Sequence, residues 1–129
     1  MSIDHIACWT EDIDRLCAFY AKYFQVTINP PYHNPLKHLT TRFLDFPGGG
    51  RLEVMHHPDI HQEITPTGKP HIGFIHFSIS VGSRETVDEL TKQLREDGFS
   101  VKDGPRLTGD GYYESSILDP DGNCIEITV

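Results

Sequence analysis

Apolar residues near the start of the chain recur at the spacing of one helical face. They are Ile13, Leu16, Cys17, Tyr20 and Phe24, at positions i, i+3, i+4, i+7 and i+11. Thr10 or Asp12 is placed to cap this helix, because the side-chain oxygen of such a residue accepts a hydrogen bond from a free backbone amide of the first turn. Residues 2–9 alternate loosely between polar and apolar types, and they predict a strand before the helix.

The pattern after this helix predicts a hairpin and then a long connection. Residues 29–35 are rich in proline and have no periodicity, whereas residues 41–46 and 51–56 each have the pattern of a strand. The run Pro47-Gly48-Gly49-Gly50 predicts the turn between these strands. Residues 57–72 lack any regular pattern, so we predict a loop that joins two halves of the chain.

The second half of the chain repeats the order of the first. A predicted strand at 73–81 precedes a helix that Ser83 caps and Gly98 ends. The apolar face of this helix comprises Val87, Leu90 and Leu94. The remaining predicted elements are a short strand at 100–102 and a hairpin with strands 112–118 and 123–129 around the turn Asp119-Pro120-Asp121-Gly122.

Both hairpins finish on a glutamate between two apolar residues, as Leu52-Glu53-Val54 and as Ile125-Glu126-Ile127. Glu53 follows His5 by 48 residues, and Glu126 follows His76 by 50 residues. This spacing indicates an internal repeat, in which each half contains a strand, a helix and further strands ending in a hairpin. The predicted fold class is therefore α+β.

Four predicted strands each contain one polar residue that faces away from apolar residues of the same strand, which for His5 are Ile6 and Cys8. The four are His5, Glu53, His76 and Glu126. Because side chains alternate along a strand, these residues would point away from the apolar face that packs on the helices. Two imidazoles and two carboxylates are suitable donors for zinc, nickel, iron or manganese. An ordinary polar residue on a solvated sheet face is the default for any one of them, but repeat-related placement of all four favours a metal site.

Composition narrows the class of protein. The formal net charge is −8 with only 11 lysines and arginines, which argues against nucleic acid and anionic membranes as partners. A length of 129 residues predicts one domain, 1–129. The sequence has neither an apolar run of about 20 residues nor a signal-peptide pattern, so we expect a cytoplasmic protein. Three cysteines without a CxxC spacing are interpreted as small hydrophobic residues.

Two other motifs have simpler interpretations. His56, His57 and His61 lie close together and could suggest a second metal site, but their spacing is irregular and surface histidines are favoured. The glycine run 48–50 lacks the Lys-Ser/Thr and helix start of a phosphate-binding loop, so it is interpreted as a turn. No nucleophile motif such as G-x-S-x-G is present.

Three segments resemble the glyoxalase, bleomycin-resistance and extradiol dioxygenase superfamily, also called vicinal oxygen chelate proteins. They are the opening Asp4-His5-Ile6 with Thr10-Glu11-Asp12-Ile13 and Phe19-Tyr20, the His76-x-Ser78-x-x-Val81 strand, and the ending Leu118-Asp119-Pro120-Asp121-Gly122-Asn123-x-Ile125-Glu126. The resemblance implies two paired βαβββ modules, here 1–57 and 72–129, that form a metal-binding cup. It also implies a homodimer.

Within this superfamily the four-ligand pattern is similar to that of bacterial glyoxalase I and approaches that of methylmalonyl-CoA epimerase. Extradiol dioxygenases use two histidines and one glutamate, so Glu53 would occupy a position that an iron oxygenase needs open. Bacterial glyoxalase I has an arginine and an asparagine that contact glutathione at the positions of Trp9 and His57. The resemblance therefore favours a related lyase or isomerase with a different substrate.

The expected activity is proton transfer next to a carbonyl on a small molecule with vicinal oxygens, assisted by one divalent metal: nickel, zinc, cobalt, manganese or iron. By resemblance Glu126 is the base and Glu53 the alternative. The predicted substrate-binding residues are Trp9, Met55 and Tyr113. The alternatives are an antibiotic-type binding or resistance protein, and an iron-dependent extradiol dioxygenase.

Overall fold

The computed structural model describes residues 2–61 and 72–129. The chain forms two compact units, Met1–Thr67 and Gly68–Val129, and each contains one β-sheet and one helix in its described part. Most of the predicted connection 57–72 lies outside the described residues. Within the described ranges, no helix has the length and apolar character needed to cross a membrane.

The first unit is a five-stranded sheet covered by a helix. Its elements are β1 His5–Trp9, α1 Ile13–Phe24, β2 Thr27–Ile28, β3 Tyr32–Asn34, β4 Leu39–Asp45 and β5 Arg51–His56. The strand order is β1-β5-β4-β2, and β3 also pairs with β4. β1 runs parallel to β5, while β4 and β5 form the predicted antiparallel hairpin. This order leaves β1 at one edge of the sheet.

Helix α1 begins where the sequence predicts. Asp12 is the N-cap, and its carboxylate accepts a hydrogen bond from the amide of Arg15 at 2.9 Å. The helix packs on β5, β4 and β2. The buried side chains of this layer include Leu16, Cys17, Tyr20, Phe24, Leu44, Leu52 and Val54. Burial of each large apolar side chain contributes about 1.5–3 kcal/mol, so this layer provides much of the stability of the unit.

The second unit is a four-stranded sheet covered by a helix. Its elements are β6 Phe77–Ser80, α2 Arg84–Glu96, β7 Val101–Leu107, β8 Tyr113–Leu118 and β9 Cys124–Thr128. The strand order is β6-β9-β8-β7, with β6 parallel to β9. Ser83 caps α2 by accepting a hydrogen bond from the amide of Thr86, and Gly98 follows its end with a φ of +89°. The predicted start and stop of this helix are confirmed.

A pair of buried hydroxyl groups joins α2 to β8. Thr91 Oγ1 donates to the carbonyl oxygen of Val87 at 2.6 Å, and the Thr91 and Ser115 hydroxyl oxygens are also 2.6 Å apart. Since the Thr91 proton points to Val87, Ser115 donates its proton to Thr91. Both residues are almost fully buried, so these two hydrogen bonds replace those that the hydroxyl groups would make with water.

The turn of the second hairpin is organised by Asp119. Its Oδ1 accepts hydrogen bonds from the backbone amides of Asp121 and Asn123, at 3.0 and 2.9 Å. Its Oδ2 accepts a third from Asn123 Nδ2 at 2.9 Å. This buried carboxylate replaces the backbone partners that the turn cannot supply. The aspartate and asparagine of this sequence therefore fix the hairpin that ends with β9.

Three stretches differ from the predicted elements, and the first is the strand predicted at 73–81, which is limited to Phe77–Ser80 and leaves His76 just before it. β2 and β3 lie in or beside the segment predicted to be irregular, and they exist because each pairs with β4. β7 extends to Leu107, although its predicted strand ended at residue 102. It passes through Pro105, which an edge strand tolerates because one side of the strand makes no ladder hydrogen bonds.

Candidate metal and substrate site

The parallel pairing of β1 and β5 brings His5 next to Glu53. Ala7 is the register partner of Glu53, so His5 lies two residues earlier on the same face of the sheet. The Nε2 atom of His5 is 3.6 Å from Oε2 of Glu53. The first unit thus places one predicted imidazole ligand and one predicted carboxylate ligand side by side.

Asp4 fixes the orientation of the His5 ring. The other ring nitrogen, Nδ1, lies 2.8 Å from Asp4 Oδ2 and donates to this carboxylate. The same hydrogen bond is the main cause that lowers the pKa of Asp4, so the carboxylate stays ionised. The Nε2 atom faces Glu53. The sequence did not identify this role of Asp4, and the only available signal was an acidic residue directly before a candidate ligand.

The second unit contains a corresponding pair. His76 comes just before β6, and Ser78, two residues later, is the register partner of Glu126. The Nε2 atom of His76 is 3.0 Å from Oε2 of Glu126. The residue before His76 is Ile75, so no carboxylate precedes this histidine as Asp4 precedes His5.

The separations within these pairs fit metal coordination. Nitrogen and oxygen donors bind a transition metal at about 2.0–2.2 Å, so two neighbouring ligands of one ion lie roughly 3 Å apart. The observed distances of 3.0 and 3.6 Å match this requirement without large side-chain movement. Among residues 2–61 and 72–129, no three His, Cys, Asp or Glu side chains are grouped as a metal site. Each unit therefore brings one histidine and one glutamate together.

Glu53 and Glu126 have different neighbours on their sheets. Ala7 and Phe43 are the register partners of Glu53. Ser78 and Ser116 are the register partners of Glu126. The two glutamates are buried to a similar degree, with side chains 17% and 18% exposed. Glu126 thus has hydroxyl groups on both adjacent strands, whereas Glu53 has apolar groups.

Two of the three predicted substrate-binding residues share the face of Glu53. Trp9 and Met55 are register partners at the far end of β1 and β5, and the Trp9 side chain is 54% exposed. Tyr113 is placed differently. Its hydroxyl donates to Asp88 on α2 at 2.7 Å, and the guanidinium of Arg84 lies 5.0 Å from its ring centroid. Tyr113 therefore lies on the helix side of its sheet, away from Glu126.

The remaining histidines of the first unit form no group of metal ligands within the described residues. His56 Nδ1 is 3.0 Å from the carbonyl oxygen of Thr10, so this side chain ties the end of β5 to the start of the helix. His57 Nδ1 accepts from the amide of Asp59 at 3.1 Å, within the turn that follows β5. The contact of His56 is long-range and that of His57 is local, and both are structural.

The cysteines are free thiols. Cys17 is buried in the helix–sheet layer, and Cys8 and Cys124 are partly buried. Burial is the main cause that raises the pKa of Cys17 and of Cys124, so both thiols stay protonated near neutral pH. This agrees with their interpretation as small hydrophobic residues.

A family model described as the Glyoxalase/Bleomycin resistance protein/Dioxygenase superfamily matches residues 2–127 of this sequence. A search of curated proteins found no match. Solved structures that are similar include a glyoxylase/bleomycin resistance protein/dioxygenase domain from Frankia sp. EAN1pec. It is 18% identical with a TM-score of 0.82, and the match covers 100% of this chain and 97% of that chain.

Two plant and protozoan enzymes are also similar in structure. The trypanothione-dependent glyoxalase I of Leishmania major is 21% identical with a TM-score of 0.77, covering 99% of this chain and 86% of that chain. Glyoxalase I of Zea mays is 22% identical with a TM-score of 0.78, covering 97% of this chain and 43% of that chain. At these identities the likeness concerns the fold, and it confirms the predicted α+β architecture of paired modules.

Proposed function

Because the chain belongs to the glyoxalase/bleomycin resistance protein/dioxygenase superfamily, we propose that it is a metal-dependent lyase or isomerase of the glyoxalase I type. Its substrate would be a small molecule with two neighbouring oxygens, and the reaction a proton transfer next to a carbonyl. The supporting observation is the pair of repeat-related His–Glu contacts, His5 with Glu53 and His76 with Glu126. A metal site needs such a set of donors, and an ordinary solvated sheet face does not.

The proposed ligands of one divalent metal are His5, Glu53, His76 and Glu126. Their nitrogen and oxygen donors suit nickel, zinc, cobalt, manganese or iron. When bound, the metal would supply Lewis acidity toward two vicinal oxygens of the substrate. The distances within each pair support this assignment, as does the hydrogen bond from His5 Nδ1 to Asp4, which directs Nε2 of His5 toward Glu53.

Glu126 is the proposed base. A carboxylate that takes up a proton can then be held by alternative hydrogen-bond partners where its neighbours provide them. The hydroxyl groups of Ser78 and Ser116 on the adjacent strands are suitable partners for Glu126. Ala7 and Phe43 offer no such alternative to Glu53, which is therefore better suited to remain a ligand. The proton would be accepted at the carboxylate oxygen of Glu126 that turns toward the substrate.

Trp9 and Met55 form the proposed apolar wall for the substrate. They are register partners on the face of Glu53, and Trp9 has a large exposed surface. Trp9 and His57 also stand where bacterial glyoxalase I is expected to contact glutathione through an arginine and an asparagine. A substrate other than a glutathione adduct is therefore proposed.

The function is tested by metal analysis combined with a matched pair of variants. The purified protein should contain a stoichiometric divalent metal, and His76→Ala should lower this content because it removes one ligand. Turnover would be screened on α-hydroxy thioesters and acyl-CoA epimers. Glu126→Gln should lower kcat by about 100-fold or more, since an amide accepts no proton. Glu53→Gln should mainly weaken metal binding.

The outcomes separate the alternatives. Full activity of Glu126→Gln with loss in Glu53→Gln would reassign the base to Glu53. Tight binding of small molecules without stoichiometric metal would indicate a sequestering protein instead. An absolute requirement for ferrous iron and oxygen would indicate a ring-cleaving dioxygenase.

A further inference from the structure

An arginine at the start of β5 stands on the same face as the His5–Glu53 pair. Arg51 is the register partner of His5 and lies two residues before Glu53, so its Cα is roughly 7 Å from that of Glu53. Its guanidinium carbon lies 4.0 Å from the centroid of the Phe43 ring. The same ring meets the His5 imidazole edge-on, with centroids 5.4 Å apart. The guanidinium thus lies beside the proposed metal ligands.

Asp45 binds this guanidinium through one of its nitrogens, and Asn29 holds Asp45 in place. Arg51 Nε donates to Asp45 Oδ1 at 2.8 Å, and Asn29 Nδ2 donates to Asp45 Oδ2 at 2.9 Å. The hydrogen bond from Asn29, followed by that from Arg51, lowers the pKa of Asp45, which stays ionised. Both Asp45 oxygens are engaged, and the terminal nitrogens Nη1 and Nη2 of Arg51 have no acceptor among residues 2–61 and 72–129.

We propose that Arg51 recognises a carboxylate on the substrate, a short distance from the oxygens that face the metal ligands. This inference rests on the proposed function, because it takes the His5–Glu53 side of the sheet as the substrate-binding side. The Arg51 side chain is 37% exposed, and its two terminal nitrogens are spaced to bind one carboxylate. A chain with a net charge of −8 repels anions in general, so a fixed cation is needed to bind one.

The face also indicates what the rest of the substrate is. β1 and β5 run parallel from His5 and Arg51 at one end to Trp9 and Met55 at the other, with Glu53 between them. A substrate lying along these strands would have its carboxylate at Arg51 and an apolar group at Trp9. The substrate class is therefore a small carboxylic acid with two neighbouring oxygens and an apolar portion.

The test compares two chelating probes of equal chain length that differ in one terminal group. Succinic monohydroxamate and butyrohydroxamate bind a metal through the same two oxygens, but only the first has a carboxylate. Calorimetry on the metal-loaded wild-type protein should show about tenfold tighter binding of the carboxylate probe. Arg51→Gln should abolish this preference while leaving the affinity for butyrohydroxamate unchanged. Arg51→Lys should retain part of it, because the charge remains and the planar fork is lost.

Arg42→Gln is the matched control. Arg42 is the register partner of buried Val54, on the helix side of β4, and its guanidinium forms an ion pair with Asp14 at 3.2 Å. Its Nε also donates to the backbone carbonyl of Asn29 at 3.2 Å, but the Asn29 side chain that binds Asp45 is unchanged. This variant loses the same charge from the same sheet and should keep the wild-type preference.

Equal affinity of the wild-type protein for both probes would overturn the role of Arg51 and leave the metal site standing. A parallel loss of both affinities in Arg51→Gln would also overturn it, since that indicates a structural role. Failure of the protein to bind metal or either probe would count against the proposed function. The metal-free protein would then be titrated with benzoate and benzamide by NMR. A Trp9 shift with benzoate alone, lost in Arg51→Gln, would support recognition, and its absence would refute it.

Discussion

The hydrogen bond between His5 and Asp4 decides which of the two ring nitrogens faces Glu53. A carboxylate that accepts from Nδ1 keeps the proton on that atom and leaves Nε2 free as a ligand. His76 depends on Glu126 alone for its orientation among the contacts described. The orientation of the His5 ring is therefore fixed by two carboxylates, and that of the His76 ring by one.

Removal of Asp4 should weaken metal binding without unfolding the protein. Asp4→Ala deletes the partner of Nδ1, and we expect about a tenfold loss of metal affinity, at the lower end for such contacts because the Asp4 side chain is 77% exposed. Asp4→Asn keeps an acceptor for Nδ1 and should lose less. Competition with a chromophoric chelator would measure these affinities.

Asp59→Ala is the control for the loss of one exposed negative charge in the same unit. Asp59 is 3.9 Å from His57, which is outside the proposed ligand set. If this variant and Asp4→Ala weaken metal binding equally, the effect is one of net charge and the orienting role of Asp4 is wrong.

At the residue scale, the alternation of side chains along strands predicted the His–Glu contacts. It did not predict which face of β8 is covered by the helix. Glu53 and Glu126 each have buried apolar neighbours, so their side of the sheet could be predicted. In β8, polar Ser115 is buried under the helix because Thr91 meets it, and Leu118 lies on the side of Ser116 and Glu126. The two faces of β8 are thus mixed in character, and the sequence placed Tyr113 among substrate-binding residues although it contacts α2.

The contact between α2 and β8 depends on the direction of one hydrogen bond. Thr91 donates to Val87, and Ser115 donates to Thr91. The Thr91 hydroxyl therefore has two partners, whereas the Ser115 hydroxyl has Thr91 as its only described side-chain or backbone partner. The two ends of this contact should respond differently to mutation.

Thr91→Val should destabilise the protein more than Ser115→Ala. The first variant leaves the Ser115 hydroxyl buried without an acceptor, which costs about 1–3 kcal/mol of unfolding free energy. The second removes that hydroxyl and leaves Thr91 bonded to Val87, so its cost should be about 1 kcal/mol or less. Urea denaturation would measure both values.

The double variant Thr91→Val/Ser115→Ala tests the assignment further. It should be more stable than Thr91→Val alone, because no hydroxyl remains unsatisfied. Simple additivity of the two losses would contradict the proposed donor order.

The boundaries of an element could be predicted from the sequence where the capping residues and the apolar pattern lie within that element. The two helices have caps and apolar faces within their own sequence, and both were located. β2 and β3 contain two and three residues, too few for any periodicity, and they are strands only through β4. In β7, a Cβ on Gly104 would lie 2.6 Å from the Glu114 carbonyl oxygen, so the strand continues past residue 102 only because that position has no side chain.

For the whole molecule, the histidine of each proposed ligand pair lies on or just before an edge strand of its sheet, and the glutamate lies on the next strand inward. β1 and β6 are each the first strand in the sheet order, and β1 has only one neighbouring strand in the described residues. Exposed apolar side chains occur on or beside them, including Ile6, Phe74 and Ile75. An edge strand with exposed apolar groups is suited to pairing with another edge. These features support the proposed homodimer.

Mixing two inactive variants would show whether ligands are shared between chains. His5→Ala and Glu126→Ala damage different pairs, so a shared arrangement leaves one intact site in each mixed dimer. Since random mixing makes half of the dimers mixed, about one quarter of the wild-type sites should return, measured as bound metal.

No recovery in a dimer whose subunits have exchanged would mean that each chain uses its own four ligands. A monomer at micromolar concentration by analytical ultracentrifugation would refute the homodimer. Mixing of His5→Ala with Glu53→Ala is the control, because both changes affect the same pair and no intact site forms in either arrangement.

The His5–Glu53 contact joins two parallel strands that are distant in the chain, because α1, β2, β3 and β4 lie between β1 and β5. The His76–Glu126 contact spans a similar distance in the second unit. Parallel pairing of this kind closes a long loop, and the entropy of loop closure makes such contacts form late in folding. Interactions that form after the transition state change the unfolding rate more than the folding rate. A bound metal would therefore extend the lifetime of the native protein. Its removal would raise the unfolding rate and leave the folding rate nearly unchanged.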